Sequence, residues 1–240
     1  QPYGVIVGKK LNRTEAGEVI YENGLPTFDD KVSVLGNGNY DFTLGFRNAF
    51  SYKNLSMSVL VDMKFGADVY SMSKMQSHVN GTSKETLEGR EGWYASEQAR
   101  LSANVDAKDW TPTGGYVGKG VKAVTDADGN VSYVPNDVYV DPAKYWQALQ
   151  NSSPEPFICD NSFVKLREVS LSYSCPKKWF VHTPIESVTL SAYGRNLLLI
   201  YSKVDNIDPE SSYNNGNGQG FEYGSLPSRR TFGFGINVKF

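Results

Sequence analysis

The sequence predicts an all-β chain, an antiparallel portion of a transmembrane β-barrel. Three observations predict it. Aromatic residues make up 13% of the chain, with 15 Tyr and 12 Phe beside 23 Gly, and Tyr, Phe, Val and Thr suit pleated, half-buried surfaces. Several segments alternate apolar and polar residues with period two. The connections between them run short, very long, short, long, the pattern of barrels with short turns on one side of a membrane and long loops on the other.

The first two strands alternate with little ambiguity. Over residues 42–52, Phe42, Leu44, Phe46, Phe50 and Tyr52 share one face, with Asn48 the exception. Over 55–66, Leu55, Met57, Val59, Val61, Met63 and Phe65 share one face, with Leu60 the exception on the other. Lys53-Asn54 between them reads as a tight hairpin. A third strand is expected over 162–175, where Val164 and Leu166 have one parity and Val169, Leu171 and Tyr173 the other. That switch near Arg167-Glu168 predicts a β-bulge. A fourth is expected over 187–201 and a fifth over 229–240, where Phe232, Phe234, Ile236, Val238 and Phe240 oppose Gly233, Gly235, Asn237 and Lys239.

The loop expected over 67–161 is far longer than a compact domain tolerates without a functional reason. A soluble sandwich spaces its turns at about 8–12 residues on both ends. Five strands cannot close a ring, since the smallest membrane barrels have about eight, and an open edge in lipid leaves backbone groups unpaired. The rest of the barrel is therefore expected upstream of Gln1, where the sequence has neither an initiator Met nor a signal peptide. Two short turns on one side put Phe240 on that same, periplasmic side.

Composition narrows the function. A net charge of −2 argues against nucleic acid, whose phosphates need a basic surplus. Cys159, Cys175, His78 and His182 form neither a disulfide framework nor a metal-ligand cluster, and no cofactor is implied. No nucleophile–base set, phosphate loop or marked carboxylate pair supports catalysis. Asp126, Asp128 and Asn130 resemble part of a calcium loop, but the distal ligands are missing and Asp128-Gly129 reads as a hairpin turn.

The C-terminal third carries motifs in order: FVKLREVSLSY (163–173), GRNL (194–197), DPE (208–210), YGSLPSRR (223–230), then a run ending in an aromatic residue. With YENGLP (21–26) and the hairpin of 35–71, these resemble SusC/RagA-like TonB-dependent outer-membrane transporters, over the whole chain except about 72–160. The family often has Pro where Tyr40 stands. The resemblance implies the closing strands of a barrel of about 22 strands, in the outer membrane of a Gram-negative bacterium. It implies import of large nutrients, glycans most commonly and peptides in some members. It also implies a SusD-like surface lipoprotein as lid, energy from TonB through a part absent from this chain, and Phe240 as an insertion signal.

The candidate site residues follow. In the long loop, Trp93, Tyr94, Trp110, Tyr116, Tyr145 and Trp146, together with Tyr133 and Tyr139, stand among Asp, Asn, Gly and Thr. Aromatic faces stack on sugar rings and amides bind hydroxyls, so they are candidate substrate or lid contacts; the alternative is that they pack the loop on itself. Arg47, Asp62, Lys64, Arg195 and Asn196 fall on polar strand faces and are expected to line the lumen. A secreted β-sandwich that binds carbohydrate is the competing reading.

Overall fold

A computed structural model describes residues 3–211 and 218–240; residues 212–217, within the closing motif region, lie outside the described residues. In chain order the strands are β1 (Val5–Leu11), β2 (Ile20–Glu22), β3 (Leu25–Pro26), β4 (Phe28–Asn37), β5 (Phe42–Tyr52), β6 (Leu55–Phe65) and β7 (Asp68–Ser71). They continue with β8 (Val121–Thr125), β9 (Val131–Pro135), β10 (Ile158–Asp160), β11 (Phe163–Ser174), β12 (Ser187–Ser202), β13 (Phe221–Glu222) and β14 (Thr231–Lys239). Three α-helices, α1 (Met72–Val79), α2 (Arg90–Ser102) and α3 (Pro142–Ser152), fill much of the long segment. The chain divides into two compact units, one of residues 1–36, 70–158 and 221–224, the other of 37–69, 159–220 and 225–240.

The second unit is a five-stranded antiparallel sheet in the order β14-β12-β11-β6-β5. Register aligns the apolar residues across it. Phe46 faces Val61, Leu171 faces Met57, and Ala192 faces Phe234. Because side chains alternate, this gives one continuous apolar face, and it is open: Phe46 is 54% exposed, Ile236 72% and Phe234 87%. A sandwich would have buried that face against a second sheet. Lys53 turns the β5–β6 hairpin with a left-handed φ of 53°.

The expected bulge is present. Register shifts between Leu166 and Glu168 against both β6 and β12, so Arg167 is the extra residue and joins Lys165 and Glu168 on the polar face, while Leu166, opposite Val61, stays on the apolar one. Asn196, at φ 52°, supplies the matching irregularity on β12. The two short turns and the end of β14 share one edge of the sheet, where Ser174 donates to the Asn54 carbonyl at 2.8 Å and Glu186 to the Lys239 carbonyl at 2.7 Å.

The first unit holds what the sequence presents as one long loop. It is not structureless. Its core joins Tyr21, Met75, Tyr116, Tyr145, Trp146, Leu149 and Phe157. Helix α3 begins at Asp141, whose side chain accepts from the Ala143 amide, followed by Pro142 at the first turn, a favourable helix start. Spacing buries Tyr145, Trp146 and Leu149 on one face. Helix α1 is capped by Ser71, and Glu222 accepts from Ser71 Oγ at 2.9 Å and from Ser73 N at 3.1 Å. Helix α2 packs against residues 114–116 at backbone contact: a Cβ on Gly114 would lie 2.6 Å from the Gly92 carbonyl oxygen. The 126–130 stretch is a turn joining β8 and β9, with Asp126 accepting from the Asp128 and Asn130 amides at 2.9 and 2.8 Å.

Candidate functional site

Two places concentrate functional side chains, one in each unit. In the first, a cavity of about 410 Å³ opens where α1, α2 and α3 converge, lined by His78, Asn80, Gly81, Arg90, Trp93, Tyr94, Asp141 and Trp146 among others. Arg90 is fixed from below, its Nε donating to the Thr86 carbonyl at 2.7 Å and its Nη2 to Thr86 Oγ1 at 2.6 Å. His78 is buried, with Nδ1 2.8 Å from the Lys74 carbonyl and Nε2 2.9 Å from Glu85. Its ring lies 4.4 Å from that of Trp146. The hydrogen bond to His78 holds the Glu85 carboxyl below the usual glutamate range, against a smaller opposing effect of burial. Aromatic walls with a carboxylate, an amide and a guanidinium suit ligands that combine apolar faces with hydroxyls or amides.

The six aromatic candidates divide. Trp93, Tyr94 and Trp146 come together in this cavity, and Tyr94 is 68% exposed. Tyr116 and Tyr145 are instead core: their ring centroids lie 4.4 Å apart with the rings tilted by 47°, and Tyr145 Oη lies 3.3 Å from Tyr21 Oη. Burial pushes the Tyr145 phenol far above its ordinary range, and the bond to Tyr21 adds to it. Tyr145 is on the buried face of α3, and Tyr116, held by its bridge to Val140, packs against it in the same core. Trp110 lies apart, its indole donating to Ser96 Oγ at 3.1 Å. Tyr133 is exposed on β9 and Tyr139 is exposed beside Gly115.

In the second unit the polar face of the sheet carries a charge network. Lys165, 4% exposed, donates to Asp208 at 3.0 Å, Glu210 at 2.7 Å and Ser228 at 2.9 Å. Arg167 donates to Asp62 at 2.6 Å, to both oxygens of Glu210 at 2.8 and 2.5 Å, and to Asn196 Oδ1 at 2.8 Å. Burial opposes ionisation of Glu210, but the hydrogen bonds from Arg167 and Lys165 outweigh it and hold the carboxyl below its ordinary range. Asp208 is held down in the same way, chiefly by Ser228.

The five residues expected to line a lumen all lie on this polar side. Asp62 and Asn196 join the network; Lys64 sits 5.3 Å over the Tyr40 ring; Arg47 donates to Ser58 at 3.2 Å; Arg195 donates to Glu168 at 2.8 Å. Sequence reasoning missed Lys165, Arg167, Asp208 and Glu210 as a unit. Two adjacent signals pointed there: the parity break at Arg167, and two acids flanking a proline in the connection that follows β12.

An antiparallel sheet with one open apolar face and one charge-lined face is an unclosed portion of a transmembrane β-barrel wall. No family model matches the sequence. Two curated relatives from Formosa agariphila are similar along nearly the whole chain: TonB-dependent receptor P3, 27% identical over 90% of this chain, and TonB-dependent receptor P26, 29% identical over 98%. The chain spans only 18% and 20% of their lengths. Among solved structures, the RagAB peptide transporter shares the fold at a TM-score of 0.55 and 16% identity, over 98% of this chain and 23% of that one. The RagAB peptide importer in its closed-closed state gives 0.57 and 15%, with the same coverage. The resemblance to TonB-dependent receptors read from the motifs therefore stands.

Proposed function

We propose that this chain forms part of the wall and outer loops of a TonB-dependent importer of large nutrients, chiefly oligosaccharides, in a Gram-negative outer membrane. The single observation that carries the reading is the open apolar face that spans five strands, opposite a polar face tied by Arg167 and Lys165. In water that face would cost far more than a stable domain can offset; in lipid it is favourable. Segment 67–161 is extracellular in this reading, and its cavity of Trp93, Tyr94 and Trp146 contacts cargo or a SusD-like surface lipoprotein acting as lid. Arg47, Asp62, Lys64, Arg195 and Asn196 face the lumen. Energy comes from TonB through another part of the protein, and Phe240, exposed after β14, serves as the insertion signal.

A second reading replaces sugar by peptide as cargo; the solved structures of like fold are peptide importers. The aromatic cavity with Asp141 and Asn80 suits sugar rings well, but its amide and carboxylate serve peptides too. Deleting residues 90–150 tests the import reading. Uptake of the cargo is expected to cease while the barrel still assembles; unchanged uptake would refute the role given to the loop.

A further inference from the structure

The rim of the sheet that holds the two short turns and the end of β14 is basic. Residues 51–56, 174–188 and 236–240 carry four lysines, Lys53, Lys177, Lys178 and Lys239, against one acid, Glu186. That acid is already paired with Lys239 at 2.8 Å. Lys177 and Lys178 are exposed and make no ion pair among the described residues. At the opposite rim, by contrast, Lys203 is paired with Asp160, and Lys165 with Asp208 and Glu210. Beside the two unpaired lysines, Trp179 is 59% and Val181 69% exposed. Above this turn the apolar face carries a shallow groove of about 270 Å³, lined by Val169, Leu171, Ala192, Gly194, Phe232 and Phe234 among others. Register explains it. Ala192 stands between Leu171 and Phe234, and Gly194 between Val169 and Phe232, so β12 lies low between bulkier flanks. Across the β5–β6 pair both partners are bulky, Phe46 with Val61 and Phe50 with Met57.

We propose that this turn and groove hold one anionic phospholipid of the periplasmic leaflet, its phosphodiester at Lys177 and Lys178 and one acyl chain along Ala192. The turn joins β11 to β12, the strands that supply the floor and one flank of the groove, so the two halves of the site belong to one segment of chain. The spacing fits a lipid. Ala192 lies five residues beyond Ser187 at the foot of β12, about 17 Å along the strand. At a strand tilt of about 40° this is a depth of about 13 Å, inside half of a hydrocarbon core about 30 Å thick. Trp179 stands where an indole suits the boundary between headgroups and chains. Charge selects among headgroups: two unpaired ammonium groups favour a net negative one over a zwitterion, and no carboxylate of the turn is left over to repel it. The inference rests on the sheet's being a barrel wall, and not on any cargo.

Native mass spectrometry tests it on the intact outer-membrane protein that carries this chain, in detergent micelles with equal amounts of phosphatidylglycerol and phosphatidylcholine of the same chains. The expected spectrum shows one retained lipid in excess, and it is phosphatidylglycerol. Replacing both lysines, Lys177→Gln with Lys178→Gln, should cut the preference for phosphatidylglycerol about fivefold or more, the worth of at least one lysine at an anionic surface. Ala192→Leu, which fills the groove and keeps the face apolar, should lower retention of both lipids. Lys203→Gln at the opposite rim should change neither. All these positions are partly or fully exposed, so unfolding of the variants should match the parent. Glycerophosphoglycerol, the headgroup without its chains, should not be retained. The proposal is overturned if both lipids are retained equally, if neither is retained, if the preference survives loss of both lysines, or if retention survives Ala192→Leu. Retention of the soluble headgroup would make this a phosphate site, and a lipid-free dimer would assign the groove to a second copy; either result also overturns it. Lipid contact along β14 tests the barrel wall separately, so the two readings can fail apart.

Discussion

Arg167 and Glu210 meet through two parallel contacts, 2.8 and 2.5 Å long, between a bulged strand residue and a residue of the connection that follows β12. The same guanidinium reaches Asp62 on the neighbouring strand at 2.6 Å. One side chain thus ties two strands and a loop. Arg167→Met would leave Asp62 and Glu210 without their shared cation, and is expected to cost about 2–4 kcal/mol, somewhat below the cost of breaking a fully buried pair because these groups keep some solvent. Glu210→Gln should cost less, since Arg167 keeps Asp62 and Lys165 keeps Asp208. Denaturant unfolding of the protein refolded into lipid vesicles measures both, and equal costs would show that the network is not centred on Arg167.

The glycines of the last strand make room for their neighbours. A Cβ on Gly233 would lie 2.4 Å from the Tyr193 ring, which pairs with it across the strands. Gly233→Val is therefore expected to destabilise by about 1–3 kcal/mol through overpacking. Gly45→Ala is the control, because nothing lies within 4 Å of a Cβ there, and it should be nearly neutral in the same unfolding experiment.

The aromatic residues of the helical unit should separate by role. Tyr145→Ala removes a side chain only 6% exposed and is expected to cost about 3–5 kcal/mol as a core truncation. Tyr94→Ala should leave stability within about 0.5 kcal/mol, as surface changes do, yet lower cargo capture. Thermal unfolding and a cargo-binding titration on both variants check this; a Tyr94→Ala protein that binds cargo normally would remove that residue from the site.

Acid should loosen the start of α1. Burial opposes the ionisation of Glu222, but hydrogen bonds from Ser73 and Ser71 outweigh it and hold the folded value below the ordinary 4.5. With the folded value depressed, its contribution is full above the unfolded value and is lost as pH falls through the folded one. Hydrogen-exchange protection at the Ser73 and Lys74 amides should therefore drop below about pH 4.5, more than intrinsic exchange explains. Glu222→Gln should flatten that dependence; an unchanged profile would show that another group controls it.

Much of the sheet was legible because its signal is strictly local. Period-two alternation is a property of single strands, and the parity break at Arg167 announced its bulge; the register that aligns the apolar faces appears only when the strands pair. The charge network was not legible, because Lys165 and Glu210 are 45 residues apart in sequence and only the fold brings them together. The helical unit was missed for a different reason. Helix α3 has eleven residues, and its apolar positions, Tyr145, Trp146 and Leu149, read equally well as scattered loop aromatics. The helix start signals, Asp141-Pro142 before α3 and Ser71 before α1, were present in the sequence. The division of the aromatics followed from that omission: without α3, nothing distinguished Tyr145, which closes the core, from Trp93, which lines a cavity.

Placing Arg at Val59, on the apolar face at mid-strand, should cost about 2–4 kcal/mol in a lipid bilayer, whereas Ser58→Arg on the opposite face should cost much less. Urea unfolding from vesicles compares the two, and equal penalties would mean that the faces do not differ in environment.

The most direct measurement of the whole account is collisional accessibility along β14 in a lipid bilayer. Single nitroxide labels at positions 231–239 of the intact protein, reconstituted in vesicles, report contact with oxygen, which enters lipid, and with a water-soluble nickel chelate, which does not. A lipid-facing wall predicts strict alternation, with labels at Phe232, Phe234, Ile236 and Val238 accessible to oxygen and protected from nickel, and labels at Gly233, Gly235 and Asn237 less accessible to oxygen. The contrary result is nickel access at Phe234 and Ile236 equal to that of an exposed loop, or no alternation at all.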